Sequence, residues 1–248
     1  MKQQLTISFI ISLFLCYTIS LQAQEQTVET KNDSLKLRYG LRLGTDASKL
    51  IRTALDDDYS GFEISGDYRL SKNLFIAGEI GNEEKTTTND FLSVTAKGNY
   101  FKVGFDYNLY DNWIGTDDMI YTGFRVGAST FSQTRTNYTV YATDQYWSPQ
   151  FSSSENLEST GLSAIWVELI LGLKAEVFTN LYIGVNAQLK AMITQDQPVD
   201  FENLHVPGFN KTFDSGRIGV GYGYSVSYLI PLFKKSKTNT KKEKEVDN

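Results

Sequence analysis

Eight runs of the chain alternate apolar and polar residues with a period of two, and no other feature restricts the fold as much. They lie near 35–46, 60–71, 73–83, 95–109, 118–131, 161–178, 180–193 and 216–230. In the first, Leu37, Tyr39, Leu41 and Leu43 share one face, and Lys36, Arg38 and Arg42 share the other. In YFKVGFDYNL, Phe101, Val103, Phe105 and Tyr107 oppose Lys102, Gly104 and Asp106. The last run sets Val220, Tyr222, Tyr224, Val226 and Tyr228 against Arg217 and a row of Gly and Ser. A period of two belongs to β-strands whose two faces meet different surroundings; helices would repeat every 3.6 residues.

The connections alternate in length. Short turns follow the second, fourth and sixth runs, each with an Asn (Asn73, Asn112, Asn180) before the next strand begins, a residue that tolerates turn geometry. Long polar connections, rich in Thr, Ser, Asp, Asn and Gln, follow the others at 47–59, 84–94, 132–160 and 194–215. An even strand number with short turns at one end and long loops at the other describes bacterial outer-membrane barrels, whose termini lie in the periplasm. The fold expected is therefore all-β: an eight-stranded antiparallel up-and-down transmembrane β-barrel with short periplasmic turns and long extracellular loops.

The amino end is a separate object. Lys2, an apolar stretch from Leu5 to Leu21 and the small residue Ala23 ahead of QEQ read as an export signal over 1–23, cleaved near Ala23. Residues 24–34 form a leader and 35–233 the barrel. Residues 234–248, with six lysines against three acids, make a basic periplasmic tail too poor in apolar residues to fold. The single cysteine, Cys16, falls inside the signal, so packing and strand pairing, rather than disulfides, must hold the exported chain together.

Alternation alone does not say which face meets water. The less apolar face carries nine bases and six acids: Lys36, Arg38, Arg42, Arg69, Lys102, Arg125, Lys174, Lys190 and Arg217 with Glu63, Asp67, Glu79, Asp106, Glu168 and Glu176. In a narrow lumen these charges pair across the interior while the apolar band meets lipid. In a secreted soluble barrel carrying a small ligand, the faces are reversed. Strand length, aromatics near the strand ends (Phe101, Tyr107, Trp113, Phe178, Tyr182, Tyr228) and the export signal favour the membrane and an outer-membrane location. The interior network expected from parity comprises Arg42, Glu63, Asp67, Arg69, Glu79, Lys102, Asp106, Arg125 and Glu168. Eight strands leave a lumen that side chains can fill, so these groups are expected to plug the barrel rather than select ions.

The stretches LRYGLRLG, YFKVGFDYNL and GVGYGYSVSYLIPLF resemble the small eight-stranded outer-membrane barrel families over residues 35–233. The AQ cleavage end and the LSKNLF turn are also similar to a family of uncharacterised exported barrel proteins known as a domain of unknown function. The resemblance implies a fold and no activity. Barrels of this class often end on an aromatic used in assembly, a position that Phe233 matches, although a fifteen-residue tail follows it.

One His and one Cys leave little for catalysis by those groups. His205, in the long 194–215 connection, has no Ser-centred motif beside it and reads as an exposed loop histidine. Asp56-Asp57-Asp58 lacks the alternating ligands and Gly of a calcium loop, and it and Asp117-Asp118 read as solvated surface acids. Neither enzyme, cofactor nor metal is expected, and a net acidic chain is a poor partner for nucleic acid. The recognition candidate is the 132–160 loop, where Tyr138, Tyr141, Tyr146, Trp147 and Phe151 stand among small polar residues and can anchor a protein, stack on a sugar or simply pack over the barrel mouth. The function expected is a structural or accessory interaction role among outer-membrane lipid, with a larger envelope complex as a partner. The alternatives are a lipid-modifying outer-membrane enzyme, a narrow transporter and a secreted soluble ligand-binding barrel.

Overall fold

The computed structural model describes residues 36–110, 117–140, 151–198, 201–211 and 217–236. Almost all of them lie in strands: β1 (Lys36–Asp46), β2 (Tyr59–Arg69), β3 (Leu74–Asn89), β4 (Leu92–Asn108), β5 (Met119–Val140), β6 (Phe151–Ser153), β7 (Leu157–Phe178), β8 (Leu181–Gln195), β9 (His205–Val206), β10 (Asn210–Lys211) and β11 (Ile218–Ser236). Among the described residues one helix, α1 (Ala47–Leu55), follows β1. Among the described residues no helix is long and apolar enough to cross a membrane.

Eight of the strands form a hydrogen-bonded ring. The order is β4-β3-β2-β1-β11-β8-β7-β5, with β4 also pairing β5, and every pairing around it is antiparallel. First and last strands meet through the Tyr39–Phe233 pair, whose rings stack 5.1 Å apart, and a bulge shifts the register just after Tyr39. At the β7–β8 turn Asn180 adopts φ 66°, the left-handed conformation that Asn accepts more readily than most residues. Gly104 leaves no room for a side chain between β4 and β5, since a Cβ there would lie 1.8 Å from the Phe124 carbonyl oxygen.

Burial follows the alternation. Arg42, Glu63, Asp67, Lys102, Asp106, Arg125 and Glu168 are buried inside the ring, whereas Phe105, Leu169, Leu189 and Val220 on the opposite face are 47%, 55%, 50% and 74% exposed. The apolar residues inside collect at two levels. Phe75, Met119, Tyr121 and Ile170 form one cluster at the short-turn end. Tyr100, Phe131, Leu162, Ala164, Trp166, Met192, Val206 and Phe209 form the other, towards the long connections.

All four long connections hold structure beyond a polar loop. The expected 84–94 loop is a hairpin extension of β3 and β4 that turns at Asp90-Phe91. Hydroxyl pairs hold it, with Thr86 Oγ1 to Thr95 Oγ1 at 2.9 Å and Thr88 Oγ1 to Ser93 Oγ at 3.1 Å, so polar residues on both faces concealed a strand. The 47–59 connection contains α1, capped by Asp46, whose carboxylate accepts the Ser48 N–H at 2.8 Å. Within the 194–215 connection, residues 201–211 turn inward, burying Asn203 and the run from His205 to Phe209. Within 132–160, β5 continues to Val140 and pairs with β6.

Candidate functional site

The inner face of the ring is built by parity: each strand contributes every second residue, and the register then aligns them across neighbouring strands. Glu79 of β3 stands opposite Lys102 of β4, Glu168 of β7 opposite Lys190 of β8, and Arg125 of β5 opposite Glu168. Ion pairs connect these into one continuous network. Arg42 Nε meets Asp67 Oδ1 at 3.0 Å, and Lys174 Nζ reaches Asp67 at 2.8 Å and Asp106 at 3.5 Å. Arg125 joins Asp106 at 2.7 Å and Glu79 at 3.3 Å. Lys102 then binds Glu79, lies 3.2 Å from Glu63 and reaches Glu168 at 4.0 Å, and Glu168 meets Lys190 at 3.4 Å. Lys49 of α1 completes it, pairing with Glu83 and approaching Glu63 at 3.6 Å.

The carboxylates Glu63, Asp67, Glu79, Glu83, Asp106 and Glu168 are matched in number by Arg42, Lys49, Lys102, Arg125, Lys174 and Lys190. Such a balance removes the uncompensated charge that would otherwise make burial prohibitive. Neutral donors complete the coordination: Tyr100 Oη donates to Glu63 at 2.6 Å and Trp166 Nε1 to Glu168 at 2.7 Å. A second cluster closes the short-turn end, where Arg38 pairs with Asp117 at 2.8 Å and with Glu176, and Arg69 reaches Asp117 at 3.4 Å. The guanidinium of Arg69 lies 4.8 Å from the Phe75 ring and that of Arg42 4.6 Å from the Tyr182 ring.

All nine parity-derived residues, from Arg42 to Glu168, line this interior, though not in one cluster. Arg69 belongs to the short-turn group with Asp117, while the other eight fall in the longer network. Lys174, Lys190, Arg38 and Glu176 lay on the same sequence face and join them; Arg217 is exposed. Lys49, Glu83 and His205 were not legible, because they meet only when α1 and the 194–215 connection fold over the ring. Glu83 does share the parity of Phe75, Ala77 and Glu79, which was the available signal.

Glu83 holds the plugged end together. It is fully buried, binds Lys49, accepts Tyr59 Oη at 3.0 Å and the Gly208 N–H at 2.9 Å, and has His205 Nε2 at 3.4 Å. His205 is thus buried against a carboxylate rather than exposed, because the inward loop trades water for this partner. Lys190 supports the same loop through the Gly208 carbonyl at 2.7 Å, and Phe209 packs edge-on to Trp166 at 6.0 Å. Glu83→Ala is expected to release this loop: amide exchange of residues 205–209 should rise by about tenfold or more, as loss of at least one charged anchor implies. Unchanged exchange by mass spectrometry would show that Glu83 does not hold it.

The aromatic candidates are placed differently. Tyr138 lies near the end of β5, its ring 4.2 Å from the Arg135 guanidinium, and Phe151 begins β6 opposite Val140. Tyr141, Tyr146 and Trp147 lie outside the described residues. Among the described residues no group of three or more His, Cys, Asp or Glu is placed to hold a metal. Asp117 is committed to two arginines, and Asp56, outside the strands, has its carboxyl held below the usual range chiefly by the hydrogen bond from Lys85 at 3.1 Å.

Fold and interior together define an almost all-β protein in which eight antiparallel strands surround a charge-paired, partly plugged core. The chain belongs to the family described as Domain of unknown function (DUF6048), whose model matches residues 6–235. No curated protein matches it. Among solved structures, that of Ail, the attachment invasion locus protein of Yersinia pestis, is similar at 9% identity with a TM-score of 0.38, covering 77% of this chain and 97% of that one.

Proposed function

We propose that the ring is a closed transmembrane β-barrel of a bacterial outer membrane, with a structural or accessory protein-interaction role and no catalysis. The observation carrying this is the inversion of burial. Charged residues fill the inside, while rows of Leu, Ile, Val, Phe and Tyr stand exposed outside. A protein surrounded by water gains by the opposite arrangement. In hydrocarbon the exposed rows are at home, and a ring in which each strand pairs with two neighbours satisfies most of the backbone within the wall.

Residues 1–23 then direct export, 24–34 lead into the barrel at 35–233, and 234–248 form a basic tail in the periplasm. The short turns face the periplasm and the end closed by α1 and the 194–215 connection faces outward. Tyr138 and Phe151 lie toward that end, and with Tyr141, Tyr146 and Trp147 of the same stretch of sequence they are the candidates for contact with a larger envelope assembly. Interior pairing and the inward loop favour a support or docking role over conduction, because few unpaired charges remain for a permeating ion.

Membrane fractionation with heat-dependent gel mobility tests the proposal. The expected protein stays with outer membranes after a carbonate wash, dissolves only in detergent and migrates faster unheated than boiled. Recovery as a periplasmic monomer without detergent, with one mobility, would contradict it.

A further inference from the structure

The ring wall is incomplete at one place. β1 pairs with β11 only as far as Asp46 opposite Ser225, where the chain turns into α1. Above that level β11 keeps its β8 partner, but 218–224 have no strand on the other side. The facing edge of β2 is closed by Thr53 of α1, whose Oγ1 accepts the Gly61 N–H at 2.8 Å, and by Thr45 at the end of β1, whose Oγ1 donates to the Glu63 carbonyl at 2.7 Å. Among the described residues no corresponding bond from α1 reaches 218–224 of β11.

A cavity of about 470 Å³ occupies this gap and has two chemistries. Its outer rim is apolar, formed by Ile51 of α1 and by Val220 and Tyr222 of β11, the last two 74% and 71% exposed. Its inner wall carries Lys49, Lys102 and Lys190, which are committed to Glu83, Glu79 and Glu168, together with Asp46, Glu63 and Arg52. Arg52 is the accessible cation, with a guanidinium 4.0 Å from the Tyr59 ring and a side chain that keeps 43% exposure beside Asp56. Gly221 keeps the passage open inward, since a Cβ there would lie 2.8 Å from Gln188 Oε1 and 3.2 Å from Lys190 Cε.

We infer that this gap is a lateral binding site for an anionic membrane lipid, whose phosphate head enters beside Arg52 and whose acyl chains lie along Ile51, Val220 and Tyr222. The inference rests on the membrane reading above and adds the ligand. The accessible guanidinium of Arg52 and the apolar lip complement the two ends of one amphiphile. A zwitterionic head carries a cation of its own beside Arg52, and a free phosphate leaves the lip unused.

The test uses the full protein in nanodiscs containing equal phosphatidylglycerol and phosphatidylcholine, read by native mass spectrometry. Wild type should retain phosphatidylglycerol over phosphatidylcholine by roughly tenfold, the scale of one charge-assisted contact. Arg52→Glu should erase that preference, and Tyr222→Ala should reduce retention of both lipids. Both positions are solvent-accessible, and heat-dependent mobility checks that the variants fold. Equal retention of the two lipids by wild type, or an unchanged preference in the folded Arg52→Glu protein, overturns the site and leaves the membrane reading standing. A chain that does not enter the discs overturns both.

Discussion

Lys102→Met is expected to destabilise the folded protein by about 3–5 kcal/mol, the scale for removing one member of a buried ion network. Lys102 is only 3% exposed and is shared by Glu79, by Glu63 at 3.2 Å and by Glu168 at 4.0 Å. Methionine matches much of its volume, so lost packing contributes little. The effect comes from three carboxylates losing their common cation. Arg125, Lys49 and Lys190 still reach Glu79, Glu63 and Glu168 respectively, but they are shared with Asp106, Glu83 and the Gly208 carbonyl and leave six interior carboxylates with five cations. Adding Glu79→Gln should recover part of the loss by removing one stranded charge. The comparison is Lys97→Met: Lys97 pairs with Glu84 at 2.8 Å on the surface, with side chains 62% and 42% exposed, and its removal should leave the unfolding midpoint unmoved. Denaturant titration of the reconstituted protein reads all three variants, and equal midpoints for Lys102→Met and Lys97→Met would show that the interior charges are not coupled as their distances imply.

Leu169→Arg is expected to destabilise the protein by about 2–4 kcal/mol in lipid vesicles, the scale for arginine on the lipid face of a barrel near the bilayer midplane. Leu169 pairs with Phe124 on one side and Leu189 on the other, and Phe124 in turn pairs with Phe105, giving an apolar row across four strands. Its side chain fills no interior space. On a water-exposed surface the same substitution would change stability by less than about 0.5 kcal/mol in either direction. Folding equilibria measured in vesicles therefore separate lipid from water at this face, and a neutral Leu169→Arg would count against the bilayer.

The ring was legible in the sequence because parity survives wherever one face is apolar. Runs such as YFKVGFDYNL place Lys102 and Asp106 on one side and Phe101, Val103 and Phe105 on the other, and the register preserves that division. The signal fails where both faces are polar. Thr86, Thr88, Ser93 and Thr95 read as loop, yet their hydroxyls pair across a hairpin. It fails again for tertiary contacts made by connections. Glu83 shares the parity of Glu79, but nothing local in the sequence specifies that Lys49 of α1 and His205 of an inward loop converge on it. The helix did carry a local signal, with Asp46 as its cap ahead of ASKLIRTAL, where Leu50, Ile51, Ala54 and Leu55 recur at helical spacing.

Membrane immersion of the exposed apolar face can be measured directly by cysteine accessibility. Cys16 is the only cysteine in the sequence, so a Cys16→Ser background offers single probes at Phe105, Leu169 and Lys97. Maleimides react with thiols in water. In intact membranes a water-soluble maleimide should label Lys97→Cys and leave Phe105→Cys and Leu169→Cys unlabelled until the protein is denatured. Equal labelling at all three positions in intact membranes would contradict a lipid-facing band.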